Sequence, residues 1–307
     1  MNEITKQLLS MVSDYDDSKG YADAYSIREN GSCVERRSTE HIKIDSKTDN
    51  PGLVIHVAPG TKGERVSIPA CVTHGDIDDV VYNDFYIGEG ADVLIVAGCG
   101  VHVQTGEPAR HNGIHRFFLQ KGSHVLYEEK HVGVGTGLGI RSIDPVTEIY
   151  LEEGASLEMD SLQLGGVDTT VRKTSAVVGK DAHLIIRERI LTEKEQEAHT
   201  DFDVEMNGEN SSVNLVSRSV ARDNSHQAYR SKIVGNAPCA GHSECDAIIE
   251  GNGRVDAAPE LTANNNDAAL IHEAAIGKIA GEQIAKLRTL GLTEEEAEAR
   301  IVAGFLK

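Results

Sequence analysis

The sequence predicts a mainly β protein: a parallel β-helix, or solenoid, with a short N-terminal helix and a C-terminal helical domain. Three observations carry this. One phrase recurs along the middle of the chain: GEGADVLIVAG (88–98), QKGSHVLYEEK (120–130), EEGASLEMDSL (152–162), GKDAHLIIRER (179–189) and GENSSVNLVSR (208–218). Each copy is a turn residue, a small residue and an alternating or apolar run, and the turn residues Gly90, Gly122, Gly154, Asp181 and Asn210 fall at intervals of 32, 32, 27 and 29 residues. A fixed period of this length marks a solenoid. A second strand-like run lies inside each period, as in Ile114 to Leu119 and Glu148 to Leu151, so each turn holds at least two strands. Helical spacing is confined to the two ends. A β-sandwich would also give regular turn signals, but not this shared phrase.

At the N-terminus Ile4, Leu8, Leu9 and Val12 fall on one face of a helix over residues 1 to about 15. A mixed segment follows to about residue 50, with short alternating runs at 33–36 and 41–44. Pro51-Gly52 and Pro59-Gly60 bracket a strand over 53–57. The β-helix core is expected over 51–266, joined without hairpins between its repeats, and the helical domain over 267–307. There Ile276, Ile279, Ala280, Ile284 and Leu287 keep helical spacing, with Gly291 as the stop. Thr293 and Glu296 form a capping box for the last helix, whose stripe is Ala297, Ile301 and Phe305. These helices are expected to cap the open end of the stack, to dock a partner, or both.

The net charge of −19 argues against nucleic acid and anionic membrane surfaces as partners. There is no Trp and only 4% aromatic residues, so the core must rest on Val, Ile, Leu and Ala. No apolar run is long enough to span a bilayer and no secretory signal is read. Five cysteines without a compact framework read as reduced thiols of a cytoplasmic protein.

The first candidate site joins Cys245 to His272 and Glu273, the latter two read as the mouth of a helix. Thiolate, imidazole and carboxylate are usual ligands of iron and zinc, but this spacing works only if stacked strands bring them together. Cys239 is a further candidate ligand. Cys99, in a Gly-Cys-Gly turn, reads as an accessible thiol. His102, His111 and His115 are expected to be exposed or hydrogen-bonded loop residues, and Cys33 and Cys71 to be packing residues. GVGTGLG (133–139) lacks the Lys-Ser/Thr ending of a phosphate loop and reads as a turn between repeats.

The tail GHSECDAIIEG, IHEAAIGKI and EQIAKLRTLGLTEEEAEARIVAGF resembles the C-terminal part of the SufB/SufD family of the SUF iron–sulfur cluster assembly system. SVARDNSHQAYRSKIVG (219–235) and VAGCGVHVQ, with the later His115, resemble that family's upstream motifs. The resemblance covers about residues 80 to 307. It implies a right-handed parallel β-helix that serves as an assembly scaffold and is not itself an enzyme. A transient iron–sulfur cluster would be its cargo, and ATP would act only through an ABC-type ATPase resembling SufC. Cys245 matches the essential SufB thiol near a subunit interface, His272 and Glu273 its neighbours, and Cys99 the sulfur-accepting cysteine. Gly100-Val101 departs from the family's Thr-Ala-Pro at that point, and Leu270 stands where SufD carries a cysteine. The pattern therefore leans toward SufB, with a homodimer, downstream apo iron–sulfur proteins as recipients, and an ATPase-docking face bearing Lys278, Lys286, Arg288 and Phe305. Two readings compete: a β-helix carbohydrate-active enzyme, whose carboxylates should cluster in a lateral groove, and a structural ATPase adaptor that carries no cluster.

Overall fold

The repeat is built as the phrase dictates. In the computed structural model, which describes every residue except Asp17, the chain forms a parallel β-solenoid of about eight turns with one helix before it and two after it. One sheet runs, in spatial order, β2 (Ser32–Arg37), β1 (Ala24–Glu29), β5 (Lys62–Val72), β7 (Asp92–His102), β9 (His124–Val134), β12 (Ser156–Leu164), β14 (His183–Thr192), β16 (Ser211–Ala221), β18 (Cys239–Ile249) and β20 (Ala268–Gly277). The facing sheet runs β19 (Arg254–Ala263), β17 (His226–Gly235), β15 (Glu197–Met206), β13 (Thr169–Val178), β10 (Arg141–Ile143), β8 (Ala109–Leu119), β6 (Ile77–Ile87), β4 (Gly52–Val57) and β3 (Ile42–Ser46). β11 (Val146–Leu151) sits between β8 and β13.

The five recurrent turn residues all adopt the left-handed conformation, with φ between +53° and +68°. Glycine reaches that region freely and Asp or Asn at little cost, which is why only these types occupy the corner. After each corner the strand alternates, and in-register residues of successive turns stack inside. Val93, Val125, Leu157, Leu184 and Val213 form one such column, every member buried. Phe85 and Phe117 stack in the facing sheet, with ring centroids 4.5 Å apart. Leu184→Ala should therefore cost about 2–5 kcal/mol, since stacked neighbours on both sides hold the cavity open. Urea unfolding would read this as a lower midpoint with an unchanged slope.

Among the described residues the two antiparallel pairs lie at the N-terminal end, β1 with β2 and β3 with β4. The first turns through Asn30-Gly31, both with positive φ, a dipeptide suited to a tight hairpin. The segment before residue 51 is thus part of both sheets. The N-terminal helix, α1 (Glu3–Val12), is capped by Asn2 and lies on the outer face of the first sheet. There it meets Gly98 and Gly100, where a side chain would collide with Val12 and Leu8. The Gly-Cys-Gly triplet is consequently strand, not an exposed turn, and Cys99 points inward. His111 and His115 belong to β8, and both are buried rather than in a loop. His102 ends β7 and is buried as well. Cys71 packs against Leu8 and Leu9 as expected, whereas Cys33 is exposed. In the 133–139 segment Gly133 lies against the backbone of Gly166, an approach that only glycine permits.

The C-terminal end departs most from expectation. His272 and Glu273 lie within strand β20, not at a helix mouth, and the helices begin only at α2 (Gly281–Arg288). Ile276 is therefore strand, and Ile279 and Ala280 precede the helix. Gly291 lies two residues past the C-cap Thr289. In α3 (Glu294–Phe305) the Thr293–Glu296 capping box forms as read. Ala297 and Val302 are buried, with Ile301 and Phe305 half-buried. The helix pair does not cover the last turn, because β19 and β20 remain largely exposed, Ile271 at 56%. It folds back along the side of the stack, where Arg189 of β14 donates to the carbonyl of Lys307.

Candidate functional site

Strand alternation decides what each candidate can touch. Cys245 is an inward-facing residue of β18, 1% exposed, with Ser217 in register on one side and Ala274 on the other. Burial pushes its thiol up to about 12, with Glu188 and Asp246 adding to the effect, so the enclosed thiol is protonated at neutral pH. His272 is in register with Ser243 and faces inward with it. Its position is diagonal to Cys245, about 7–8 Å in a regular ladder. His272 is only half-buried because no further turn covers it, and its Nδ1 has no hydrogen-bond partner. Glu273, the next residue, points outward. It lies 3.5 Å from Nε2 of His242, whose Nδ1 is 2.9 Å from Oδ1 of Asn214. The three expected partners thus share a corner of the last turns, but one of them is on the opposite face.

Cys239, the first residue of β18, and Cys245, just past its middle, share an inward face. Six residues of strand separate them by about 20 Å, so one chain cannot direct both at one ion. Cys99 is five strand steps away from Cys245, about 24 Å. It is 5% exposed, and burial, with Glu129 adding, raises its thiol well above the ordinary range. Among the described residues no group of three His, Cys, Asp or Glu side chains is arranged to hold a metal ion.

Between the two thiols the solenoid interior is polar, a feature that the sequence reading missed. Arg172 of β13 donates to Glu129 of β9 at 2.6 Å, and its Nε lies 3.0 Å from Glu188 of β14. His131 lies 3.3 Å from Glu129 and 3.1 Å from Arg172. Thr200 and Ser217 donate to Glu188 at 3.0 and 3.1 Å, which carries the network to the strand beside Cys245. At the other end His115, Tyr127 and Glu129 form a chain that begins next to Cys99. Burial alone would raise Glu129, but His131 and Arg172 hold it well below the usual carboxylate range. Burial raises Glu188, and Arg172, Thr200 and Ser217 only partly oppose it. The signal was present: Tyr127, Glu129 and His131 share the parity of buried Val125.

Comparison with known proteins places these features in context. The profile for the SUF system FeS cluster assembly SufBD core domain matches residues 82–305. An iron–sulfur cluster assembly SufBD family protein of Archaeoglobus fulgidus is 32% identical over 277 residues, which are 89% of this chain and 73% of that protein. One from Methanothermobacter thermautotrophicus is 30% identical over 83% of this chain and 62% of its own length. One from Methanocaldococcus jannaschii is 29% identical over 76% of this chain and 74% of its own. The chain therefore spans about three fifths to three quarters of these relatives.

Proposed function

The chain belongs to the SufBD family of iron–sulfur cluster assembly proteins, and on that premise we propose that it is a scaffold on which a cluster is built as cargo, with Cys245 as the principal thiol ligand. The observation that carries this reading is the setting of Cys245. It occupies the last enclosed turn, one strand from an uncovered edge where His272 presents an unpartnered nitrogen. Iron in a cluster needs several thiolate or comparable ligands, and one chain can direct only a single thiol, Cys245, at this corner, because Cys239 lies six residues back along β18. A second copy paired at the exposed edges of β19 and β20 would double the set. Open edges are prone to such pairing, and a two-fold axis makes it self-complementary. Imidazole binds a cluster less tightly than thiolate, which suits a scaffold that must release its product to apo-proteins.

The enclosed, protonated state of Cys245 supports a gated site. On this reading an ABC-type ATPase resembling SufC supplies the opening. It docks on the helical tail, whose exposed Lys278, Lys286 and Arg288 lie beyond the solenoid. ATP then acts only through that partner and the scaffold itself catalyses nothing. The unpaired cysteines support a cytoplasmic setting, and among the described residues no helix is long and apolar enough to cross a membrane. Truncation after Lys278 is expected to abolish co-purification with the cognate ATPase while far-UV circular dichroism stays that of a β-solenoid. Retained binding would place the docking face elsewhere.

The experiment that tests the scaffold reading is anaerobic reconstitution with ferrous iron and sulfide. A visible absorption band, carried by a dimer in native mass spectrometry, is the expected result. A monomer that takes up no iron would support the adaptor reading instead. The family assignment supports an assembly role over the carbohydrate-enzyme alternative.

A further inference from the structure

Of the five cysteines only Cys33 is exposed. Burial pushes the thiols of Cys71 and Cys245 up to about 12 and raises those of Cys99 and Cys239, which leaves these four inert at neutral pH. Cys33 lines a cavity of about 270 Å³ at the N-terminal end of the solenoid, and so does Arg36. Both precede the 82–305 core shared with the family. Oγ of Ser26 lies 3.7 Å from Sγ of Cys33 and accepts from Nε of Arg36 at 3.4 Å, so one hydroxyl joins thiol and guanidinium. Two other cations of the cavity are neutralised, Arg28 by Asp79 and Lys47 by Asp84. Arg36 is not. It reaches only the hydroxyls of Ser26 and Ser46 and has no carboxylate partner among the described residues.

A second observation is independent of the thiol. Asn83 lines the same cavity, is 5% exposed, and its Oδ1 has no hydrogen-bond partner. A chain of hydrogen bonds fixes its orientation. Tyr127 donates its hydroxyl proton to Glu129, so its oxygen accepts from Nδ1 of His115 at 2.8 Å. Nε2 of His115 must then accept, and the amide of Asn83 supplies the proton at 3.2 Å. Turning the amide would set two lone pairs against each other. Oδ1 is therefore a buried acceptor that awaits a donor, a costly group to leave empty.

The cavity thus offers a reactive sulfur, an uncompensated cation beside it and a buried acceptor. A small amino-acid thiol answers all three, with a sulfur for Cys33, a carboxylate for Arg36 and an ammonium for Asn83. We infer that Cys33 is a site of reversible S-thiolation, at which a small amino-acid disulfide of the cystine type leaves one half as a mixed disulfide held in this cavity. The Cys33 thiolate attacks one sulfur of the disulfide, and the bond between its two sulfurs breaks as the new one forms. The other half departs as a thiolate and takes up the proton that Cys33 released. Cys33 is oxidised, the departing half is reduced, and no further oxidant enters. A free thiol reverses the exchange. The modification is independent of any cluster chemistry at Cys245, which lies at the other end of the solenoid.

The test equilibrates the iron-free full chain with cystine or with cystamine at a fixed ratio of disulfide to free thiol, and reads the adduct by intact mass and peptide mapping. The two reagents differ by the carboxylate alone. The net charge of −19 draws cationic cystamine toward the protein, so a thiol that is merely exposed should favour cystamine. The expected result is a single adduct at Cys33, with an exchange constant for cystine roughly tenfold above that for cystamine, the effect of one charge-assisted hydrogen bond to Arg36. Arg36→Gln should bring that ratio to one or below. Asn83→Leu should weaken both adducts by about the same factor, since both carry the ammonium that loses its acceptor. Arg36→Gln alone decides the matter if Asn83→Leu does not fold. A wild type that takes cystamine as readily as cystine, a ratio unchanged in Arg36→Gln, adducts undiminished in a folded Asn83→Leu, or adducts that persist in Cys33→Ser would overturn the inference.

Discussion

Arg172→Met is expected to cost about 3–5 kcal/mol, the usual penalty for removing one partner from a buried ionic network. Arg172 is the guanidinium between Glu129 and Glu188, and all three are fully enclosed. Without it two carboxylates face each other in a low-dielectric interior. The pH dependence should change as well. In the wild type Glu129 is held below its unfolded value, so its contribution is present above about pH 4.5 and fades as pH falls through the depressed folded value. In Arg172→Met that carboxyl is released upward, and acidification from pH 8 toward 5 should stabilise the variant. Glu188, already raised, works in the same direction, since stability from a raised carboxyl is present at low pH and lost as pH climbs through the folded value. Guanidinium unfolding at several pH values reads both effects. A loss below about 1 kcal/mol would mean that water reaches the network and solvates the acids.

Cys245→Ser is expected to retain less than about a tenth of the wild-type cluster after anaerobic reconstitution, because a hydroxyl is a poor ligand for a soft cluster. The substitution is nearly isosteric and Ser217 and Ser243 already neighbour the position, so folding should be preserved. Glu273→Ala is expected to impair transfer to an apo-acceptor, since its carboxylate lies outside the sheet at the exposed edge, where a second copy would meet it. Cys99→Ser should be milder when sulfide is supplied free. Iron and sulfide analysis together with transfer to an apo-ferredoxin separates the three variants. Full assembly by Cys245→Ser would remove that thiol from the site.

The corners were the most legible part of the sequence, because a left-handed backbone restricts residue type and the period repeats the restriction. Gly90, Gly122, Gly154, Asp181 and Asn210 were all found this way. Residue type was less informative where two physical causes leave one pattern. Gly98 and Gly100 read as a turn around Cys99, yet they are small because α1 needs room. His272 and Glu273 precede a helical periodicity, and that periodicity was extended backward over a strand whose alternation sends them to opposite faces. Asn30-Gly31 makes a hairpin, whereas Asn112-Gly113 lies inside a strand, so the dipeptide alone does not announce a turn. The internal charges were hidden for a related reason. In Tyr127-Glu128-Glu129-Lys130 nothing local distinguishes the enclosed glutamate from the solvated one, and only the parity set by Val125 does so.

The docking of α1 bears on how the chain is made. Its apolar face, Leu8, Leu9 and Val12, is covered by β5, β7 and β9, and β7 does not end until His102. During synthesis that face waits for about 90 more residues. At 5–20 residues per second it stays open to solvent for roughly 5–18 s. This helix precedes the solenoid in the chain yet is among the later segments to settle, and its retention reports that the early turns have stacked in register. A ribosome-bound chain halted before β7 would present an unsheltered amphipathic helix, the kind of surface that holdase chaperones recognise.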